Sequence, residues 1–127
     1  MLKVMLIFLG AGCGGLLRFA IGSLFRDWWK LGSGFPMGTL IVNVTGCLAM
    51  GVLATLLIGV REDVRAGVLV GVLGGYTTFS AFGHEAIVLA GQDAGGMGRA
   101  TIYVMLSVVL GLGAVWVGVA IGRIVIG

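Results

Sequence analysis

The chain has 127 residues, 59% hydrophobic and only 10% charged, with a formal net charge of +3. A water-soluble domain carries roughly 25% charged residues, so this chain lacks the polar surface to cover a globule, and its expected solvent is lipid. The eight basic residues are scattered singly, with no run or stripe to follow a phosphate backbone, which argues against a nucleic-acid partner.

Four apolar segments follow one another. The first, residues 4–25, is interrupted by Arg18. Lys3 and the apolar run after it suggest a secretory leader, but the run continues past Arg18 without a small-residue cleavage site, so a retained helix is expected. The second, residues 37–60, has no charge and begins just after the only proline, Pro36, where a missing N–H costs least. The third, residues 66–90, carries His84 and Glu85 near its end, and the fourth, residues 100–122, is uncharged. Each is 22 to 25 residues long, and a helix needs about 20 to cross the hydrocarbon core. The fold class is therefore an all-α integral membrane protein: one domain, residues 1–127, of four transmembrane helices, multi-pass in the cell inner (plasma) membrane.

Small-xxx-small spacing recurs at Gly10/Gly14, Gly67/Gly71, Gly71/Gly75 and Gly118/Gly122, as expected where helix backbones approach closely in lipid. Cys13 and Cys47 lie inside apolar segments and read as small buried hydrophobes rather than a disulfide framework. Loops on the N-terminal side hold Lys3, Arg61, Arg65 and Arg123, and the opposite side holds Arg26, Lys30 and Arg99. Four against three is almost no positive-inside bias, so insertion in both orientations is expected, with an antiparallel, dual-topology homodimer as the natural assembly.

Two motifs fail on context. GAGCGG at residues 10–15 fits the dinucleotide fingerprint, with Asp27 near the ribose-binding distance, but no βαβ unit has room to form. His84-Glu85 is not completed to a zinc motif, and no second histidine exists. No Ser/His/Asp or Cys/His constellation and no P-loop is present, so no enzyme is expected.

The polar residues inside the segments have helical order. Thr39 and Asn43 are four apart, as are Tyr103 and Ser107, so each pair shares a helix face. Such groups either stitch helices together or converge on a hydrated path. Phe79 and Phe82, three apart, form another same-face pair whose electropositive ring edges can face an anion. Arg18 lies about 12 Å deep by helical rise, either as a snorkelling anchor or as a positive charge at the mouth of a vestibule. Glu85 is open in the same way, as a partner for a basic group or as vestibule lining. The stretch GGYTTFSAF, residues 74–82, has its two glycines about 13–15 Å deep, near the bilayer midplane. Adjacent glycines and hydroxyls there predict a break in the third helix, with free carbonyls able to hold a cation and free N–H groups able to face an anion.

Three motifs in order, GG-x-x-R-F at residues 14–19, G-T-L-x-V-N-x-x-G at 38–46 and G-G-x-T-T-F-S-x-F at 74–82, resemble the Fluc (CrcB-type) fluoride channels over essentially the whole chain. The resemblance implies a passive, fluoride-selective channel that exports fluoride and lowers its toxicity in the cytoplasm, built as an antiparallel dimer with two pores. It implies pore lining by Phe79, Phe82 and Asn43, with Thr39 on the same helix face as Asn43, and a fourth-helix hydroxyl track of Tyr103 and Ser107. Arg18 and Glu85 would be vestibule residues, and the carbonyls of Gly74 and Thr77 from both subunits would hold one structural sodium ion. The chain departs from the family at position 111, a glycine where the track would carry a hydroxyl, and at Phe19, where tyrosine is common.

The main rival is a proton-coupled exporter of the small multidrug-resistance type, which needs a glutamate in its first helix; here that segment holds Arg18 and no acid. A non-transporting scaffold is the second rival, with glycines and hydroxyls serving packing alone.

Overall fold

The computed structural model describes residues 1–25 and 34–127. Four stretches are long and apolar enough to cross a membrane: Leu2–Leu24, Met37–Leu56, Glu62–Ala90 and Gly96–Ile126. We label the first two α1 and α2 and the last α5. The third divides into α3, residues 62–76, and α4, Phe79–Ala90. No strand occurs among the described residues, and GAGCGG lies inside α1. Arg26, Asp27 and Lys30, used above for charge bias and for the fingerprint, lie outside the described residues.

The helix ends differ from the apolar boundaries in a consistent way. The third span begins at Glu62 rather than residue 66, because acidic Glu62 and Asp63 sit in its first turn, where they complement the positive end of the helix. Before it, α2 stops at Leu56, and the chain turns through Gly59, whose φ of +83° suits a residue without a side chain. The fourth span is longer than its apolar core at both ends, since neither Arg99 nor Arg123 interrupts a helix.

The helices form two pairs. In the first, α1 lies against α3 and the chains run parallel, Gly10 and Gly14 meeting Gly67, Gly71 and Gly75. A Cβ on Gly10 would stand 2.5 Å from the Gly67 carbonyl oxygen, and one on Gly75 would stand 2.5 Å from that of Ala11. In the second pair α2 lies parallel to α5, with Gly51 against Gly118 and Gly122 against Thr55. Each expected small-xxx-small pair thus falls in a helix–helix seam. Lipid chains offer no hydrophobic drive for helix association, so close backbone packing supplies the cohesion.

Within the first pair, Gly67–Leu73 is π-helical, between α-helical Glu62–Ala66 and Gly74–Tyr76. The chain then breaks at Thr77 and Thr78, and α4 continues against α5 instead of α1. The break therefore carries the third span from one helix pair to the other. Between α2, α4 and α5, Leu40, Leu89, Ala100 and Tyr103 form a buried cluster, joined by Phe35 and Phe82.

Candidate functional site

The break is built by threonines and an asparagine, not by glycines. The break expected within residues 74–82 falls on its hydroxyl residues; Gly74 and Gly75 themselves are helical, and Gly75 packs on Ala11. Thr77 (φ −80°, ψ 159°) and Thr78 (φ −150°, ψ 127°) are extended. Extended backbone in an apolar span needs partners for its polar groups. Asn43 on α2 supplies them: its Oδ1 accepts from the Thr78 N–H at 2.9 Å, and its Nδ2 donates to the Thr78 carbonyl at 3.0 Å. One side-chain amide thus serves both backbone groups of Thr78 as a neighbouring strand would. The second Nδ2 hydrogen is not needed for this. Thr78 Oγ1 then caps α4 by accepting from the Ala81 N–H at 3.2 Å.

These bonds free two particular carbonyls. In an unbroken α-helix the N–H of residue i+4 serves the carbonyl of residue i. The Thr78 N–H, due to Gly74, goes to Asn43, and the Ala81 N–H, due to Thr77, goes to Thr78 Oγ1. Thr77 O receives Arg18 Nη1 at 3.3 Å. Arg18, half-buried, therefore reaches inward to the break, where a carbonyl partners its charge inside α1. A carbonyl oxygen has a second lone pair, so Gly74 and Thr77 remain able to face a cation. Among the described residues no group of three His, Cys, Asp or Glu could hold a metal ion. Gly46 completes the support, because only a residue without a side chain leaves room for the Thr77 methyl and the Tyr76 ring. The Tyr76 hydroxyl is 2.8 Å from Thr45 Oγ1.

From the break a line of polar groups runs between α2, α4 and α5. Glu85 accepts from Thr39 Oγ1 at 2.7 Å through one carboxylate oxygen and from Tyr103 OH at 2.9 Å through the other. The two expected same-face pairs thus meet at Glu85, whose partners among the described residues are hydroxyls. Tyr103 is fully buried, with its ring 5.3 Å from Phe82 and 5.5 Å from Phe35. Phe82 lies 5.5 Å from Phe79, and Phe79 is 83% exposed on the single subunit.

Two clefts flank this line. An outer one of about 240 Å³ is walled by Phe35, Gly38, Thr39 and Glu85. An inner one of about 300 Å³ is walled by Asn43, Cys47, Thr78, Phe79, Phe82 and Ser107. Ser107 Oγ is buried and, among the described residues, has no hydrogen bond of ordinary length. Thr39, Asn43, Phe79, Phe82, Tyr103, Ser107 and Glu85 are thereby brought together, whereas Arg18, Gly74 and Thr77 belong to the break beside them. His84 is exposed and outside both clefts. Of the cysteines, Cys13 is exposed on α1 rather than buried, and Cys47 is half-buried against the inner cleft. Sequence reasoning missed Thr45, whose only signal is its place on the helix that carries Asn43, and the tie from Arg18 to Thr77, which has no sequence signal at all.

Four spans, a supported break at mid-membrane and two clefts joined by hydroxyls, a carboxylate and aromatic edges define a small multi-pass membrane protein of the solute-conducting kind. The chain belongs to the CrcB family, whose model, described as "CrcB-like protein, Camphor Resistance (CrcB)", matches residues 5–119. It is 44% identical over 126 residues to the "Fluoride-specific ion channel FluC" of Coxiella burnetii, covering 96% of this chain and 98% of that protein. It is 41% identical over 126 residues to the protein of the same name from a Methylobacterium species, covering 97% and 98%. The Solibacter usitatus protein of that name is 40% identical over 125 residues, covering 96% and 99%.

Proposed function

We propose that this protein is a passive fluoride-selective channel of the cell membrane, lowering fluoride in the cytoplasm by letting it out. The observation that carries this reading is the line Thr39–Glu85–Tyr103–Phe82–Asn43–Ser107 joining two clefts, in a chain whose relatives bear the name of fluoride channels over nearly their whole length. A fluoride ion leaving water must exchange its hydration for compact donors. The spare Nδ2 hydrogen of Asn43, the Ser107 hydroxyl and the ring edges of Phe79 and Phe82 offer that exchange. A narrow path lined by such donors favours a small, hard anion over chloride, since chloride gains less from each contact. Arg18, held at the break, adds a positive potential near the inner cleft.

The working unit in this reading is an antiparallel homodimer inserted both ways up, in contact with membrane lipid. Near-equal charge on the two faces supports it, as does Phe79, a large apolar side chain left open at the centre of the span. Two subunits would bring four carbonyls together, Gly74 and Thr77 from each, as ligands for one structural sodium ion. That ion would supply a fixed positive charge at the dimer centre. Within each chain, Asn43 and Thr78 keep the carbonyls free of helical donors. Nothing in the described residues resembles the first-helix glutamate of a proton-coupled multidrug exporter; α1 carries no acid.

The deciding test is fluoride efflux from liposomes containing the purified protein, read with an electrode, with a potassium ionophore present to remove charge build-up. Rapid fluoride loss with chloride retained is expected. Retention of fluoride after verified insertion and dimerisation would overturn the reading.

A further inference from the structure

The break straddles α2, and that helix holds it from both flanks. Residues two apart on a helix point about 200° away from each other. Asn43 and Thr45 therefore project from opposite flanks of α2, with Gly46 between them. Asn43 holds Thr78 through both of its backbone groups. Gly46 lets the Thr77 methyl and the Tyr76 ring lie across the helix; a Cβ there would meet that methyl and stand 3.2 Å from Tyr76 Cδ1. The buried ring thus passes over α2, and its hydroxyl ends 2.8 Å from Thr45 Oγ1 on the exposed flank. Thr45 sets the direction of this bond. Its single proton goes back to the Ile41 carbonyl at 2.7 Å, the local bond a threonine makes inside a helix, so its oxygen accepts and the Tyr76 O–H donates. Tyr76 is the last residue of α3, in the turn that carries Gly74, and the Thr77 carbonyl follows it directly. Backbone contact with Ala11 and Gly14 sets how near this turn comes to α1. The directional bond to Thr45 sets how far it is turned about its own axis, and so where the Gly74 and Thr77 carbonyls point.

We propose that Tyr76, held by Thr45, is a positioning residue for the cation at the dimer centre, aiming the Gly74 and Thr77 carbonyls without touching the ion. The inference rests on the structural-sodium reading above. The competing account is that the bond only satisfies two hydroxyls in an apolar span. That account predicts the same loss of stability at every sodium concentration, whereas a positioning role changes the affinity for sodium itself.

The experiment is thermal melting of the whole chain in detergent, purified without sodium and titrated with sodium chloride at constant ionic strength. An ion bound only by the folded protein raises the melting temperature once its concentration passes Kd, so the onset of the rise reports the affinity. Tyr76→Phe and Thr45→Val should each move that onset to about threefold to tenfold higher sodium, the range that one ordinary hydrogen bond covers. The double variant should move it no further than either single one, because both remove the same bond. Thr45→Ser keeps the acceptor and should keep the parent onset. Fluoride efflux from liposomes should follow the same shift and return to the parent rate at saturating sodium. Lower melting temperatures with an unmoved onset would reduce the bond to packing and overturn this proposal alone. A parent protein whose melting ignores sodium at every concentration would overturn the sodium reading, and this proposal with it. Should Tyr76→Phe fold poorly, Thr45→Val reads the same bond from its other partner.

Discussion

The two halves of the third span show two ways of making a membrane interior. In α3 the contacts are between backbones: Gly67, Gly71 and Gly75 let α1 approach until no Cβ would fit, and hardly any polar side chain takes part. In α4 the contacts are between side chains: Phe82 on Tyr103, Glu85 on Thr39 and Tyr103. The first half is a rigid support and the second is a lined wall. They differ because backbone packing leaves no space to be filled, whereas ring and hydroxyl packing leaves clefts between unequal shapes. What the contrast teaches is that glycine marks the support here and not the site, and that the join between the halves needs its own partner, Asn43.

The contrast can be broken most severely in α3. Gly14→Val or Gly75→Leu would drive a side chain into backbone atoms of the facing helix, where overpacking costs about 1–3 kcal/mol when neighbours can yield and more when, as here, they are main chain. We expect loss of the monodisperse protein on gel filtration in detergent, without any selective effect on conduction. Asn43→Leu is next: it removes both partners of Thr78, and each buried group left unpaired costs about 1–3 kcal/mol. Both melting temperature and fluoride efflux should fall, and Asn43→Asp should recover part of the stability by keeping the acceptor for the Thr78 N–H.

In α4 the two readouts should come apart. Phe79→Ala truncates a ring that is 83% exposed on the subunit, so monomer stability should change by less than about 0.5 kcal/mol. Efflux should nevertheless drop by about tenfold or more, equivalent to roughly 1.4 kcal/mol of barrier. A parallel fall in both would put Phe79 with the support instead. Glu85→Gln should have a smaller effect, since the amide keeps one acceptor oxygen and only one of the Thr39 and Tyr103 hydroxyls loses its partner, at about 1 kcal/mol by thermal melting. Smallest of all is Lys3→Ala, which removes an exposed pair with Glu62 at the outer end of α3; neither melting nor efflux should move measurably in 0.15 M salt.

Much of this was legible in the order of residues alone. A low charge content and four segments of sufficient length specify spans irrespective of packing, because the cost of a charge or an unsatisfied backbone group in hydrocarbon is paid locally. The face-sharing of Thr39 with Asn43 and of Tyr103 with Ser107 follows from the helical repeat, and so does the small-xxx-small spacing that became both seams. The tertiary structure decided how those faces meet. It placed the break, within the stretch 74–82, at Thr77 and Thr78, because a glycine that packs against Ala11 is held helical while a threonine backbone paired with Asn43 is held extended. It turned Arg18 inward to a carbonyl, made Glu85 the meeting point of two hydroxyls, and set Cys47 beside Gly111. Each of those is a contact between residues far apart in the chain. Local periodicity fixes which way a side chain faces along its own helix, but only the parallel packing of α2 with α5, and the passage of the third span from one pair to the other, fixes what it faces.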